Sequence, residues 1–594
     1  MIQLSKSSLP YWDLSDLYTG KDDPKIEQEI KSLQERVVHF KSTYQGQVAS
    51  LSREAFLEAI SVFEKIQETF GKLHAFAYLL FSTHTQDPDI TRFYQNIQEQ
   101  TTTLSADLLF FTLEINRLDE TSLQEKQSLS HNKYGPWIKS LRLFKDHELK
   151  DDLERVFHEL SIPACHTWVR LFDETLGGLK ISFNEKVLSL SEALNLFSSP
   201  NRTDRHEVAL CLSRALNEKG PLLGLIYNTL MKEKNIEDTW RKYPHARMSR
   251  HLSNQIEDDV VEALIEAVVN AYPRLSHRYY TLKAKALGLK KLEYWDRNAP
   301  VCRDAEAVSY QWEEAKNLVL EAYSDFSAEM AEIGRVFFER SWIDAALYPG
   351  KESGAYSHPV TPSVHPYILM NFYGKGRDVM TLAHELGHGV HQMMASSQGY
   401  FLSNTPLTVA ETASVFGEML TFKKMLKSLK DPGQKKYLLS QKIEDMLNTV
   451  VRQIAFYRFE KEIHALRCEK ELSLFEFGKI WMRTQQEALG PIFHLDESYH
   501  IYWTYISHFI HSPFYVYAYA VGDCFVNSLY QVYETSPQGF CEKYLTLLKL
   551  GGSKPYGELL APFNLDPKDP SFWNLGLSFI EDLISTFEKE INGA

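Results

Sequence analysis

The 594-residue chain has no CxxC pair, no uncharged apolar run approaching the roughly 18 residues a membrane helix needs, and no internal repeat or low-complexity tract. Its six cysteines, Cys165, Cys211, Cys302, Cys468, Cys524 and Cys541, are too scattered for a disulfide framework or a thiolate zinc site, so free, mostly buried thiols are expected. The opening Met1–Pro10 stretch lacks an apolar core followed by a small-residue cleavage site, which points to a cytoplasmic protein. Positive charge is also in deficit. Lys and Arg total 64 against 78 Asp and Glu, a net charge of −14 that repels phosphate backbones and anionic lipid, so neither nucleic acid nor membrane is expected as a partner. With 44% hydrophobic and 24% charged residues, the chain is too apolar for disorder.

Helical periodicity is what the sequence does have. Phe56, Ile60, Phe63, Ile66, Phe70, Leu73, Ala77 and Leu80 recur at steps of three and four, the pattern of a helix burying one stripe. Lys25 to Phe40 reads as an amphipathic helix with a solvated face. Asn254-Gln-Ile-Glu257 reads as a capping box opening a helix that ends near Pro273. Strand signals are few. Leu179–Phe183 and Lys186–Leu190 suggest a hairpin across Asn184-Glu185, while Tyr356–Val360 and Tyr367–Phe372 flank a proline-containing turn region. The length suits three to four domains or one large multi-lobed one. Breaks at Gly177-Gly178 and Ser198–Asn201 divide an N-terminal helical lobe, 1–200 with the hairpin near 179–190, from a larger region, 201–594.

The segment His384-Glu385-Leu386-Gly387-His388 is an H-E-x-x-H motif. A spacing of four puts both imidazoles on one helix face, where they can grip one Zn²⁺ at about 2.0–2.1 Å, and Glu385 can act on water at the metal without being a ligand. Asp378 to Met394 carries apolar residues at helical spacing and no proline, the setting the motif needs. Three further side chains offer themselves as ligands: His391, Glu411 and Glu418. His391 is i+7 from His384, about 10.5 Å along the axis, so it is assigned to the surroundings of the ion. The metzincin pattern would need Gly at 391 and His at 394, where this chain has His391 and Met394. Glu411 and Glu418 lie in a segment after Pro406, and either completes a His₂Glu set with an open position; spacing does not choose between them. Asp378 suits either of two roles, orienting a ligand imidazole or serving as a first-turn helix acid.

In these blocks the chain resembles the thimet oligopeptidase and oligoendopeptidase F family of zinc metallopeptidases, the oligoendopeptidase F branch most closely. Val409-Ala-Glu-Thr-Ala-Ser414 is similar to the family segment whose glutamate is the third zinc ligand, which assigns that role to Glu411 and leaves Glu418 beside the first ligands. Gly350–Tyr356 and His365–Leu369 resemble the strands that line the substrate, and His508–Tyr519 resembles the family's His and Tyr segment. The likeness runs from Trp12–Tyr18 to Asp569–Trp573. It implies a mainly α, multi-helix, two-lobed body enclosing a deep substrate channel, with small β-sheets near the active site. It further implies one Zn²⁺ and hydrolysis of internal bonds in short unstructured peptides.

The resulting expectation is a metal-activated water with Glu385 as the base, and oxyanion stabilisation by His508 with Tyr515 and Tyr519. Gly354, Ala355 and Tyr356 are expected to pair with the substrate backbone as an edge strand, and Tyr517 to touch substrate. Imidazole and carboxylate ligands also accept Co²⁺ or Mn²⁺. The competing readings are a zinc carboxypeptidase or dipeptidyl carboxypeptidase on a similar helical body, and a peptide-binding helical scaffold without catalysis. The presence of Glu385 weighs against the scaffold, because a pure binder needs no base.

Overall fold

Two features of the chain, long amphipathic stripes and well-placed caps, produce most of the structure. The computed structural model describes residues 9–127, 133–301 and 308–593. The first eight residues of the opening stretch and Cys302 lie outside the described residues; the other five cysteines are free thiols. The described chain is predominantly helical, with three small sheets, and none of its helices is long and apolar enough to cross a membrane.

Contacts group the chain into two compact units. One comprises the described residues of Met1–Lys145, Ala307–Lys427 and Ser536–Phe563. Its first helices, Pro24–Tyr44, Arg53–Ser82 and Pro88–Ala106, begin at Asp23, Ser52 and Asp87, whose side chains accept first-turn N–H bonds. The stripe read from Phe56 is buried as far as Ala77, with Leu80 half-buried, and Phe40, Phe63 and Phe111 pack ring against ring. The Pro24–Tyr44 helix also buries Ile26, Leu33, Val37 and Phe40, so its solvated face is only one side of it.

The same unit holds a three-stranded sheet. Tyr367–Leu369 is central, parallel to Ile343–Asp344 and antiparallel to Tyr356–His358, which leaves Tyr356–His358 at an edge. Lys351 anchors the loop that enters this edge strand. Its buried ammonium donates to Asp344 Oδ1 at 2.6 Å and to the Met370 carbonyl at 2.7 Å, a paired charge rather than a bare one.

The other unit comprises the described residues of Asp146–Glu306, Ser428–Thr535 and Asn564–Ala594. It is built on Arg202–Trp240, a 39-residue helix, with Tyr517–Thr535 and Pro570–Asn592 packed side by side. The hairpin is present as Ile181–Phe183 and Lys186–Leu188, and Asn184 and Glu185 turn it at positive φ. The capping box read at Asn254–Glu257 does not form. The helix there starts at Asp258 with no side-chain cap, because Asn254 instead ends the preceding Met248–Ser253 helix and Gln255 turns the chain at φ +51°.

Candidate functional site

The helix Gly376–Ala395 carries the H-E-x-x-H motif. It is started by Asp378, whose Oδ2 accepts the N–H groups of Tyr373 and Lys375 at 2.8 and 2.9 Å. Those two bonds give Asp378 the first-turn helix-acid role of the two open to it. Gly387, inside the motif, sets how closely the next segment approaches. A Cβ there would lie 2.4 Å from the Ala413 carbonyl oxygen and 2.6 Å from Ser414 Cα, so only glycine lets the two backbones meet.

That close approach delivers Glu411. The short turn Leu407–Ala410 and the helix Thr412–Ser428 are separated at Glu411 itself, which has φ −79° and ψ 1°. Its Oε2 lies 3.3 Å from His384 Nε2 and 3.4 Å from His388 Nε2, and the three donor atoms fall within 4.8 Å of one another. Ser414 Oγ donates to the same Oε2 at 2.6 Å. Glu418 reaches the opposite side of the first imidazole, with Oε2 3.2 Å from His384 Nδ1. The two glutamates thus occupy different nitrogens of one ring. His391 is buried, and its ring donates to the Ala410 carbonyl, which ties the motif helix to the residue before Glu411.

Charge follows from these contacts. Burial disfavours the His384 cation, but the Glu418 hydrogen bond and the Glu411 carboxylate outweigh it and hold its pKa at about 9. Burial would raise Glu411, yet the His388 bond and both imidazoles bring it down to about 2. Burial, with the His388 charge, pushes His391 down to about 4. Two nitrogens and one carboxylate oxygen converging on one point are the donor set of a His₂Glu zinc site, so these residues fit a single metal ion. Glu385 lies beside them, 7% exposed. Burial raises its carboxyl while the two imidazoles and the Ser357 N–H lower it.

Ser357 belongs to the edge strand, and no motif marked it. Its hydroxyl donates to Gln392 Oε1 at 2.9 Å, so the strand is fastened to the motif helix at two points. Gly354, at φ +98°, turns the chain into this strand with open space where a Cβ would be, and its carbonyl accepts from Asn371 Nδ2 at 3.1 Å. Ala355 follows it, just outside the strand. The Tyr356 hydroxyl donates to Ser82 Oγ at 2.7 Å, which fixes its ring against the Arg53–Ser82 helix.

His508, Tyr515, Tyr517 and Tyr519 all lie in the other unit. His508 Nε2 is 3.0 Å from the Tyr519 hydroxyl, and the Tyr515 ring stacks 5.9 Å from His508 and sits edge-on to Tyr519 at 5.2 Å. Tyr519 is 38% exposed. Tyr517 points the other way. It is fully buried, with its hydroxyl held by His251 Nδ1 and Asn254 Nδ2 at 2.9 Å each, so the substrate contact expected of it gives way to a core role.

The turn before Tyr515 is strained and pinned. Phe514 has φ +58°, a conformation that bulky residues rarely adopt, and its N–H donates to Glu460 Oε1 at 3.0 Å. Arg250 Nε donates to the Pro513 carbonyl at 3.2 Å and its guanidinium sits 5.7 Å over the Tyr515 ring. Glu460 is wholly buried and its second oxygen has no partner. Burial raises its pKa to about 8, against the Phe514 N–H and the Arg250 and Lys234 charges. The folded chain therefore keeps a proton that the unfolded chain releases above 4.5. The stability this contributes is complete below pH 4.5 and is lost as pH rises through 8. Glu460→Gln keeps an acceptor for Phe514 and removes the titration. Denaturant unfolding should find it more stable than the parent at pH 8 by a few kcal/mol, with the gap shrinking toward pH 5. Parallel stability curves across that range would show that Glu460 does not titrate in this way.

Comparison with known proteins identifies the family. Residues 195–578 match the model of Peptidase family M3, and 114–181 match that of Oligopeptidase F. The chain belongs to peptidase family M3, and it is a peptidase of a metal-dependent family. It is 26% identical to oligopeptidase PepF of Bacillus subtilis over 97% of this chain and 87% of that protein. It is 27% identical to an oligoendopeptidase F homolog of Borreliella burgdorferi over 91% and 92%. Among solved structures, a Chlamydophila abortus protein superposes with a TM-score of 0.87 at 22% identity, covering 98% of each chain. Oligoendopeptidase-F from Enterococcus faecium gives 0.69 at 20%, covering 96% of this chain and 99% of the other.

Proposed function

We propose that the protein is a zinc endopeptidase that cuts internal bonds of short unstructured oligopeptides in the cytoplasm. The observation that carries this is the convergence of His384 Nε2, His388 Nε2 and Glu411 Oε2, with the non-ligating carboxylate Glu385 on the same helix. Zn²⁺ held there would supply Lewis acidity that acidifies water and polarises a peptide carbonyl. Glu385, buried and steadied by the Ser357 N–H, takes the proton from water and passes it to the leaving amine. Glu418 orients the His384 ring through Nδ1, and His391 holds the Ala410 end of the ligand segment.

The edge strand that starts at Tyr356, approached through Gly354 and Ala355, is assigned to backbone pairing with the substrate, which suits a peptidase tolerant of sequence. His508 and Tyr519, already hydrogen-bonded to each other, are assigned to oxyanion stabilisation with Tyr515 beside them. An enclosed channel, which rests on the family likeness, and the division at residue 200, which rests on the breaks at Gly177-Gly178 and Ser198–Asn201, are part of the same proposal. The preference for oligopeptides is supported by the names of the relatives.

An internally quenched peptide with both ends blocked tests the proposal, with mass spectra of the products and elemental analysis on the same sample. Internal cleavage, one zinc per chain and resistance of a stable folded protein are expected. Cleavage only of free-ended peptides, two residues or one at a time from the C-terminus, would replace the reading with a carboxypeptidase. Efficient digestion of the folded protein would remove the enclosed channel.

A further inference from the structure

His508 and Tyr515 are joined by a tight reversal of the chain. The Ser512 N–H donates to the His508 carbonyl at 3.0 Å, the Tyr515 N–H donates to the Ser512 carbonyl at 3.0 Å, and the Ala518 N–H donates to the Tyr515 carbonyl at 2.9 Å. This path brings the Tyr515 ring back to stack with His508. It runs through Phe514 in the left-handed region, which a bulky residue keeps only where its surroundings impose it, and such positions gather at active sites.

Two helices impose it here. One face of Gln453–Glu469 cradles Phe514: Tyr457 meets its ring edge-on at 6.0 Å, the His464 ring lies 4.7 Å away, and Glu460 between them accepts the Phe514 N–H. Glu460 is a costly choice for packing alone. A wholly buried carboxyl with an unpartnered second oxygen gives up more hydration than an apolar side chain does, so what it adds is an acceptor for that one N–H. The second helix is Met248–Ser253, and its Arg250 grips both neighbours of Phe514, bonding the Pro513 carbonyl through Nε and covering the Tyr515 ring. Among the described residues this is the only hydrogen bond Arg250 makes, and no carboxylate pairs with it. The next residue, His251, holds the Tyr517 hydroxyl at 2.9 Å, so one short helix secures the tyrosine segment twice.

We propose that Arg250 and Glu460 are positioning residues of the peptidase, which together hold the Ser512–Tyr515 turn in the strained form that sets Tyr515 against His508. The inference rests on the reading of His508 and Tyr515 as part of the oxyanion-stabilising group. Without its pins, Phe514 relaxes to negative φ, the turn re-aims, and the ring at 515 leaves its place beside His508. A group that stabilises a transition state must be in place before the reaction, and a displacement of about 1 Å costs on the order of 100-fold in rate. Neither residue touches the peptide in this scheme; both act through Tyr515.

The test uses the full chain with its metal and a quenched peptide. Arg250→Met and Glu460→Met should each lower kcat by about 10–100-fold with KM near the parental value, because the effect is felt at the reacting atoms and not along the peptide. Glu460→Gln, which restores an acceptor for the Phe514 N–H, should recover most of the loss. Added to Tyr515→Ala, Arg250→Met should cost less than about threefold more, since the residue it acts through is already gone. Arg250 is part-exposed, so its variant decides the question if Glu460→Met fails to fold. A raised KM with parental kcat in Arg250→Met would overturn the proposal, the guanidinium then gripping the peptide itself. Losses that multiply in the double variant would overturn it too, as would parental kcat in Arg250→Met, and no recovery in Glu460→Gln would remove Glu460 from it. Tyr515→Ala alone tests the underlying reading. Near-parental turnover there removes the role of Tyr515 and this inference with it, whereas an impaired Tyr515→Ala beside an unimpaired Arg250→Met removes the inference alone.

Discussion

Glu385→Gln is expected to keep its metal and to lose peptidase activity by about 10²–10⁴-fold, the usual contribution of a positioned acid–base group. The substitution is nearly isosteric, and the amide still offers an oxygen to the Ser357 N–H that the carboxylate now accepts. None of the three converging donor atoms belongs to residue 385, so the metal set is untouched. What disappears is the ability to take a proton from water and return it to the amine. The loss should appear in kcat with little change in KM, because the side chain acts on the reacting atoms rather than on the peptide at large. Metal content by elemental analysis and turnover of a quenched peptide, measured on one preparation, decide the matter. Near-normal turnover with full metal occupancy would show that another group is the base.

The parts of this site that were legible in sequence are those fixed by a single helix. His384 and His388 stand one turn apart, so helical geometry alone brings them to one face, with Glu385 one position on from the first. The relation between Glu411 and Glu418 was not legible, because an i, i+7 argument assumes an unbroken helix and the chain breaks at Glu411. The break is what sends the two carboxylates to opposite nitrogens of His384. Tyr517 was misread for a related reason. It lies at the first turn of Tyr517–Thr535, where its neighbours Tyr515 and Tyr519 face His508, but burial and two hydrogen bonds hold it inward. The strand Ile343–Asp344 is two residues long, so it carries no alternation to detect and exists only by pairing with Tyr367–Leu369. Ser357 and Glu460 escaped notice because each acts through a backbone N–H, its own in Ser357 and that of Phe514 for Glu460, and such groups leave no mark in a side-chain pattern.

Glu411→Ala should lower metal affinity far more than Glu418→Ala, and the two nitrogens of His384 explain the order. Glu411 Oε2 stands on the Nε2 side, 3.3 and 3.4 Å from the two imidazole atoms with which it would share an ion, so its removal would take one of three protein ligands. Glu418 touches the ring at Nδ1, at 3.2 Å, where it would fix its tautomer and orientation. Losing such a partner costs about 10–100-fold in affinity. The Ser414 hydroxyl, which donates to Glu411 Oε2, offers no substitute, since a neutral hydroxyl brings neither the charge nor the reach of the carboxylate. Glu411→Gln separates charge from position: it keeps an oxygen near the same place, yet an amide is a much weaker ligand for a divalent ion, so its affinity should fall between those of Glu411→Ala and the parent. Competition with a chelator of known affinity, run on the parent and the three variants at one pH, gives the ranking. A loss at Glu418 equal to or greater than that at Glu411 would mean that the ion sits on the Nδ1 side of His384, and the ligand set would have to be redrawn around Glu418.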